Sequence, residues 1–267
     1  MLEIEQARWR SHGFGWQASG EWFIVLSFIN KAKLLFRKAQ FRMWKRKHPS
    51  APFTDYFAEI ARKDVERRRA HPTLGGNLSG DPFGTSGRET FLKLVRRYNI
   101  EPQDVCVDYG CGTLRVGVHA IEYLNPGCYW GLEITDFFLS QGGELIGSRL
   151  ENDKAPNLRV ISAASVGEAA AAEPKILFSI SVLMHVHPDE LSAYMANIIS
   201  IIGEAGLGVV AAQWTDAGTI QIGRQSWVHS EPSLRDAVEI AGGSAKFIER
   251  EKRPDCVSGA IEVRKTK

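Results

Sequence analysis

Three observations predict that this chain is an α/β protein with a mainly parallel sheet, closed by an antiparallel hairpin and preceded by a helical extension. From about residue 104 onward, short apolar runs alternate with longer segments of helical period. That order calls for parallel strands joined by helical crossovers. A glycine-rich turn directly follows the first apolar run, the usual punctuation between a strand and the element after it. The last two runs are separated only by residues 252 to 255, too few for a crossover, so they must pair as a hairpin. With 267 residues, 44% hydrophobic and 24% charged, the chain can bury a sizeable core. Wholesale disorder and a minimal peptide module are excluded.

The chain divides at residues 1–52, 53–87 and 88–267. Its net charge of +2 hides an asymmetry: residues 1–48 hold ten Lys/Arg and three Asp/Glu, or +7, and the rest carries −5. Residues 21–48 contain no Gly or Pro and read as one long helix, ended by Pro49 and Pro52. Its uncharged stretch, Trp22 to Asn30, is nine residues long, against the roughly 20 needed to span a bilayer. From Lys31 every charge is positive, with Leu34, Leu35, Phe41 and Trp44 interleaved. This basic amphipathic pattern suits the surface of an anionic membrane, and it equally suits packing on the chain's own domain or on a partner. Nucleic acid is disfavoured, because no aromatic-basic binding module is recognisable. The four cysteines, Cys106, Cys111, Cys128 and Cys256, show no Cys-x-x-Cys spacing, and no secretory pattern opens the sequence. Free thiols in a reducing cytoplasm are expected, with no metal site and with peripheral attachment to the inner membrane face.

Residues 53–71 form the next expected helix, with Arg67, Arg68 and Arg69 at the end the helix dipole favours. Residues 71–87 are rich in Gly and Pro and read as a loop, either a plain linker or a cover for a site, with Phe83, Ser86 and Arg88 able to reach a ligand. Phe91, Leu92, Leu94, Val95 and Tyr98 then fall at helical spacing. The strands expected after them are VCVDY, CYWGLEI, LRVIS, KILFSIS and LGVVAAQW, and the closing hairpin is SAKFIERE with CVSGAIEVRK.

The strongest chemical signal is VCVDYGCGTLRVG, residues 105–117. Gly110 and Gly112 let the backbone turn tightly and approach a ligand at a strand's carboxyl end. A dinucleotide fingerprint would need glycine at 115, where this chain has Arg115. Asp108 adds a carboxylate at the mouth of the turn, which suits a ligand with a cationic head better than one with phosphates. Glu133 ends the next apolar run, where an acidic side chain can accept both hydroxyls of a ribose.

These segments, DYGCGTLRVG at 108–117, GLEI at 131–134 and SISVLMHVHPDEL at 179–191 followed by a helix and LGVVAAQW, resemble the class I S-adenosylmethionine-dependent methyltransferases of the small-molecule type. The resemblance covers about residues 88–267. It implies a Rossmann-like seven-stranded sheet with a terminal antiparallel hairpin, and S-adenosyl-L-methionine as cofactor. It also implies that Asp108, Gly110 and Gly112 surround the methionine part, with Cys111 and Arg115 in the same turn. Glu133 and Ile134 would meet the ribose, and Ser162 and Ala163 are left to contact adenine. Ser179, Ser181 and His185 would lie near the methyl-transfer centre. The chain departs from the family's pattern after the third strand, where ISAASVGE supplies no acidic adenine contact. The fourth strand carries neither an Asn/Asp-Pro-Pro-aromatic nor a Pro-Cys sequence, which disfavours nucleobase methylation.

Methyl transfer from a sulfonium depends chiefly on positioning, and a hydroxyl acceptor would be helped by a base. His185 is the candidate catalytic base, with His187 as a second candidate; the structural alternative for His185 is a hydrogen bond at the end of the strand. His187, Trp214, Arg224 and Trp227, together with His229, lie where an acceptor pocket would form. Each also has a structural alternative: a cap for His187, core or wall for the tryptophans, and a solvated loop for Arg224. Cys111 suits a small space-filler better than a nucleophile. The expected acceptor is a small molecule, a glycan or a lipid-linked compound. The rivals are a non-catalytic adaptor that keeps the fold and an NAD(P)-dependent oxidoreductase. The charge asymmetry predicts that the protein co-sediments with anionic vesicles, and that binding weakens sharply with added salt and on deletion of residues 1–48. Binding indifferent to both would remove the membrane role.

Overall fold

The computed structural model describes residues 39–68, 84–223 and 225–266. It separates into two units, residues 1–43 and 44–267. The helix expected over 21–48 falls largely outside the described residues, and residues 39–47 are helical.

In the second unit, α1 (Phe53–Arg68) and α2 (Gly84–Tyr98) lead into β1 (Cys106–Tyr109), α3 (Gly117–Tyr123), β2 (Tyr129–Glu133), α4 (Asp136–Lys154) and β3 (Asn157–Val160). Then come α5 (Ala163–Ala171), β4 (Ile176–Ser179), α6 (Leu191–Ile202), β5 (Leu207–Thr215), β6 (Ile220–Gly223), β7 (Ser226–Ser230), α7 (Glu231–Ile240), β8 (Gly243–Lys252) and β9 (Val257–Lys265). α2 begins four residues before the expected helix start at Arg88. Gly87 explains part of that: a Cβ there would lie 2.1 Å from the Arg115 carbonyl oxygen, so only glycine lets this helix close on the chain after the glycine turn.

β3, β2, β1, β4 and β5 run parallel in that order, and β9 and β8 continue antiparallel beyond β5. These are the seven expected strands. The order reverses at β1, so a crevice opens outside the carboxyl ends of β1 and β4, the usual ligand position in open α/β sheets. α5, α6 and α7 cover one face around Val107, Leu177 and Val210. α2 and α3, with α4 beside them, cover the other around Cys106, Ile176 and Val209.

The structure adds two strands to those seven. β5 is nine residues long, and β4 accompanies it only as far as Val210. Its overhanging end pairs in parallel with β7 through Trp214↔His229 and Thr215↔Ser230, and β7 pairs antiparallel with β6. This hairpin stands over the carboxyl edge of the sheet, beside the crevice. No helix among the described residues is long and apolar enough to cross a membrane.

At the glycine turn, Gly110 has φ +83°, and a Cβ there would meet Val182 Cγ2 at 2.4 Å. Gly110→Ala is therefore expected to destabilise the protein by roughly 2 kcal/mol or more, from the left-handed backbone and the clash together. Chemical denaturation checks this, and a loss below about 0.5 kcal/mol, the range of an ordinary surface substitution, would contradict it.

Candidate functional site

The crevice is a cavity of about 660 Å³. Its floor is the turn after β1. Gly110 N–H and Cys111 N–H both donate to the Leu132 carbonyl, at 2.7 and 3.1 Å, which ties the turn to β2. Gly112, at φ +57°, has nothing within 4 Å of where a Cβ would stand, so a bare backbone faces open space.

Two carboxylates flank this turn, and both are out of water, Asp108 at 3% and Glu133 at 5% exposure. Glu133 holds one backbone N–H on each oxygen: Gly112 donates to Oε2 and Ile134 to Oε1, each at 2.7 Å. Tyr129 donates its hydroxyl to Asp108 Oδ2 at 3.1 Å. Gly117 makes that contact possible, because a Cβ there would lie 2.2 Å from the Tyr129 hydroxyl. Desolvation dominates both carboxyls. It pushes Asp108 up to about 7 against the Tyr129 hydrogen bond, with Glu133 adding to the rise and Arg115 opposing it. It pushes Glu133 up to about 7 against its two backbone donors. Ionising either group in this crevice costs roughly 3 to 4 kcal/mol more than it does in water. A cationic ligand would offset that cost.

The opposite wall joins α1 to the turns after β4. Pro52, just before α1, and Thr54 and Phe57 within it line one side, and Met184, His185 and Val186 line the other from the segment after β4. Glu190 fastens the two sides: its Oε1 accepts the Phe53 N–H and, at 3.3 Å, the Thr54 N–H, and its Oε2 accepts the Thr54 hydroxyl at 2.6 Å. The first donors of α1 are thus satisfied by a carboxylate 136 residues further along the chain. Behind them Phe53 stacks on His187 at 5.1 Å and meets Trp227 edge-on at 4.8 Å. On the sheet side, Asn197 donates to the Tyr109 hydroxyl at 2.9 Å, and Tyr194 donates to Ser179 Oγ at 2.7 Å. Burial raises the Tyr109 phenol to about 12, so it stays protonated.

His185 lines the cavity with its Nδ1 2.8 Å from the Gln225 carbonyl. A carbonyl can only accept, so Nδ1 carries the proton and Nε2 is the basic nitrogen. Burial lowers its pKa, and the Gln225 bond opposes that in part. At neutral pH this imidazole is uncharged.

Of the residues singled out from sequence, Asp108, Gly110, Cys111, Gly112, Arg115, Glu133, Ile134, Ser181 and His185 line this one cavity. Ser181 does so at φ +63°, a strained backbone for a residue with a side chain. Cys111 directs its sulfur over Gly131, where a Cβ would lie 3.1 Å from Sγ, so it fills space. Other candidates stand elsewhere. Ser179 is fully buried behind the wall, donating to the Tyr109 carbonyl at 2.7 Å. Ser162 caps α5 in a reciprocal pair with Ser165, and Ala163 is the first residue of that helix; Ile161, just before them, is the residue that reaches the cavity. His187 caps the turn Pro188–Glu190 by accepting the Asp189 N–H. Trp214 is sealed in the core with its ring against Phe247, and Trp227 is buried against Phe53 and His187, so neither faces the cavity. Arg224 and Phe83 lie outside the described residues, and Arg88 is exposed on α2. Sequence reasoning missed Thr54, Phe57, Glu190, Tyr194, Asn197 and Gln225.

Because the folded-state pKa values of Asp108 and Glu133 lie above their unfolded ones, the stability these groups contribute is fully present below about pH 4 and is lost as pH rises through about 7. Buried His185 and His229, whose pKa values burial lowers, act in the opposite sense below about pH 6.5, so the effect is read as a difference between two proteins. The melting temperature of the wild type relative to Asp108→Asn, which keeps an acceptor for Tyr129, is expected to fall between about pH 4 and 7. A difference that does not change with pH would contradict this.

No protein-family profile matches the chain, and no curated protein matches it. Solved structures do. Burkholderia thailandensis 1,6-didemethyltoxoflavin-N1-methyltransferase, crystallised with S-adenosylhomocysteine, is 19% identical, with 82% of this chain and 92% of that one covered at a TM-score of 0.55. Magnesium protoporphyrin IX methyltransferase (ChlM) from Synechocystis PCC 6803 is 14% identical, with 80% and 98% covered at 0.53. The (4+2)-cyclase SpnF is 10% identical, with 67% and 81% covered at 0.51. The chain has the Rossmann-like fold of the class I S-adenosylmethionine-dependent methyltransferases.

Proposed function

We propose that this protein transfers a methyl group from S-adenosylmethionine to an oxygen or nitrogen of a small, largely apolar acceptor, free or carried on a glycan or lipid. One observation carries the proposal: two buried carboxylates flank a bare-backbone turn in the same cavity as a neutral histidine with a free basic nitrogen. The fold by itself is not sufficient support, since SpnF shares it and is a cyclase.

The residues present fit this cofactor. Each Glu133 oxygen is committed to one backbone donor and keeps a lone pair for a ribose hydroxyl. Asp108, at the base of the turn, favours a cation, and the open space at Gly112 lets a ligand approach the main chain. Ile134 and Ile161 offer apolar surface beside Glu133 for a flat base, with Ser162 and Ala163 next to them. When bound, S-adenosylmethionine supplies an electrophilic methyl carbon on a positively charged sulfur. Pro52, Phe57, Met184 and Val186 exclude water from the acceptor side and select apolar surface. His185 Nε2 takes the proton from the acceptor's O–H or N–H, while Tyr109 stays protonated and serves to orient. The basic segment at residues 21–48 would hold the enzyme at an anionic membrane, where a lipid-linked acceptor is presented.

Calorimetry should give S-adenosylhomocysteine binding and no NAD binding. Radiolabelled methyl transfer into cell-extract fractions sorted by polarity should label one class of acceptor. His185→Gln should lower that transfer by about 10²-fold without weakening S-adenosylhomocysteine. Binding without transfer to any fraction would identify a non-catalytic adaptor, and NAD binding alone would overturn the reading.

A further inference from the structure

The β6–β7 hairpin lies outside the seven strands expected from sequence, and its second strand reaches the segment carrying His185 at two points. Next to β7, Gln225 fixes Nδ1 of the imidazole through its backbone carbonyl at 2.8 Å, with the Ser226 hydroxyl 3.4 Å from the same nitrogen. Within β7, His229 places Nε2 3.3 Å from the Leu183 carbonyl and 3.2 Å from the Val186 carbonyl. Both partners only accept, so Nε2 of His229 carries the proton and shares it between them. Those two carbonyls bracket Met184 and His185, which both line the cavity. His229 is 1% exposed, and its Nδ1 is buried with no partner among the described residues. Protonating that nitrogen would create a buried N–H with nothing to receive it, so the ring remains a one-proton donor.

We propose that His229 is a positioning residue for the reaction: by clamping the carbonyls of Leu183 and Val186, it holds the turn Leu183–His185 where the Gln225 carbonyl can accept from His185 Nδ1, which leaves Nε2 of His185 as the base. The inference rests on the methyl-transfer reading for what the base does, but the clamp itself can be tested without any acceptor. Free histidine prefers its proton on Nε2, so an Nδ1–H tautomer at His185 is a direct sign that the turn is held against Gln225. Gln225 also donates from its side chain to the Phe57 carbonyl at 3.3 Å, so the same residue touches α1 above the cavity.

The test is long-range ¹H–¹⁵N NMR on the full chain with ¹⁵N-labelled histidine, comparing the wild type, His229→Gln and His229→Leu. Glutamine keeps an N–H donor near the Nε2 position, and leucine keeps bulk without one. The wild type and His229→Gln should show His185 protonated on Nδ1 alone. His229→Leu should show a mixture in which Nε2–H gains, and all three should bind S-adenosylhomocysteine with the same affinity, since His229 does not line the cavity. A wild-type His185 protonated on Nε2 would overturn the proposal, and this holds even where the leucine variant does not fold. An unchanged tautomer in His229→Leu would also overturn it, as would a His229→Gln spectrum identical to that of His229→Leu, which would make the role one of packing. Failure of the wild type to bind S-adenosylhomocysteine would remove the methyl-transfer reading and leave the tautomer result to judge the clamp.

Discussion

Asp108 and Glu133 stand at the carboxyl ends of adjacent parallel strands with their carboxylates out of water, and most of the cavity is arranged around that cost. Every neighbour that lowers it is in place: the Tyr129 hydroxyl, the backbone donors of Gly112 and Ile134, and the positive charge of Arg115. Burial still outweighs them, so both carboxyls are held with pKa values near 7. Groups held at a loss in an open cleft are well suited to recognising whatever relieves the loss. Here that is a ligand with positive charge and hydroxyl donors.

A second constraint is length. β5 outruns β4, and the overhang receives a hairpin that would otherwise have no sheet to join. Through that hairpin the carboxyl edge of the sheet is tied to the histidine wall, and through Glu190 that wall is tied to the start of α1. The wall opposite the carboxylates is therefore assembled from three distant stretches of chain and held by a few polar contacts over an aromatic cluster of Phe53, His187 and Trp227.

The strand and helix alternation and the glycine turn were legible in the sequence because both are local. Buried strands such as CVDY and ILFS carry their pattern in four residues, and the glycines at 110 and 112 mark the backbone reversal directly. Asp108 and Glu133 were legible for the same reason, since each ends an apolar run. What escaped depends on distance. β6 shows only Ile220 and Ile222 at alternating positions, both exposed, and β7 acquires its identity from pairing with the overhang of β5. Trp214 reads in sequence as either a core residue or part of a pocket, and only the structure places it within β5 facing the core. Ser162 looks like a ligand contact and is committed as a helix cap. Glu190 and Phe57 could not be found from spacing, because their contacts join residues more than a hundred positions apart. The one available signal was a carboxylate at the start of a helix with no basic partner nearby.

The central claim is that a positive ligand relieves these two carboxylates, and proton release on binding measures it directly. Calorimetric titrations at pH 6.5 in buffers of different ionisation enthalpy would count the protons displaced by S-adenosylmethionine and by its uncharged-sulfur product. The account predicts net release for both, because hydroxyl donors and the ammonium group already favour the charged carboxylates, and more release for the sulfonium. Equal proton counts for the two ligands, or uptake in place of release, would contradict it.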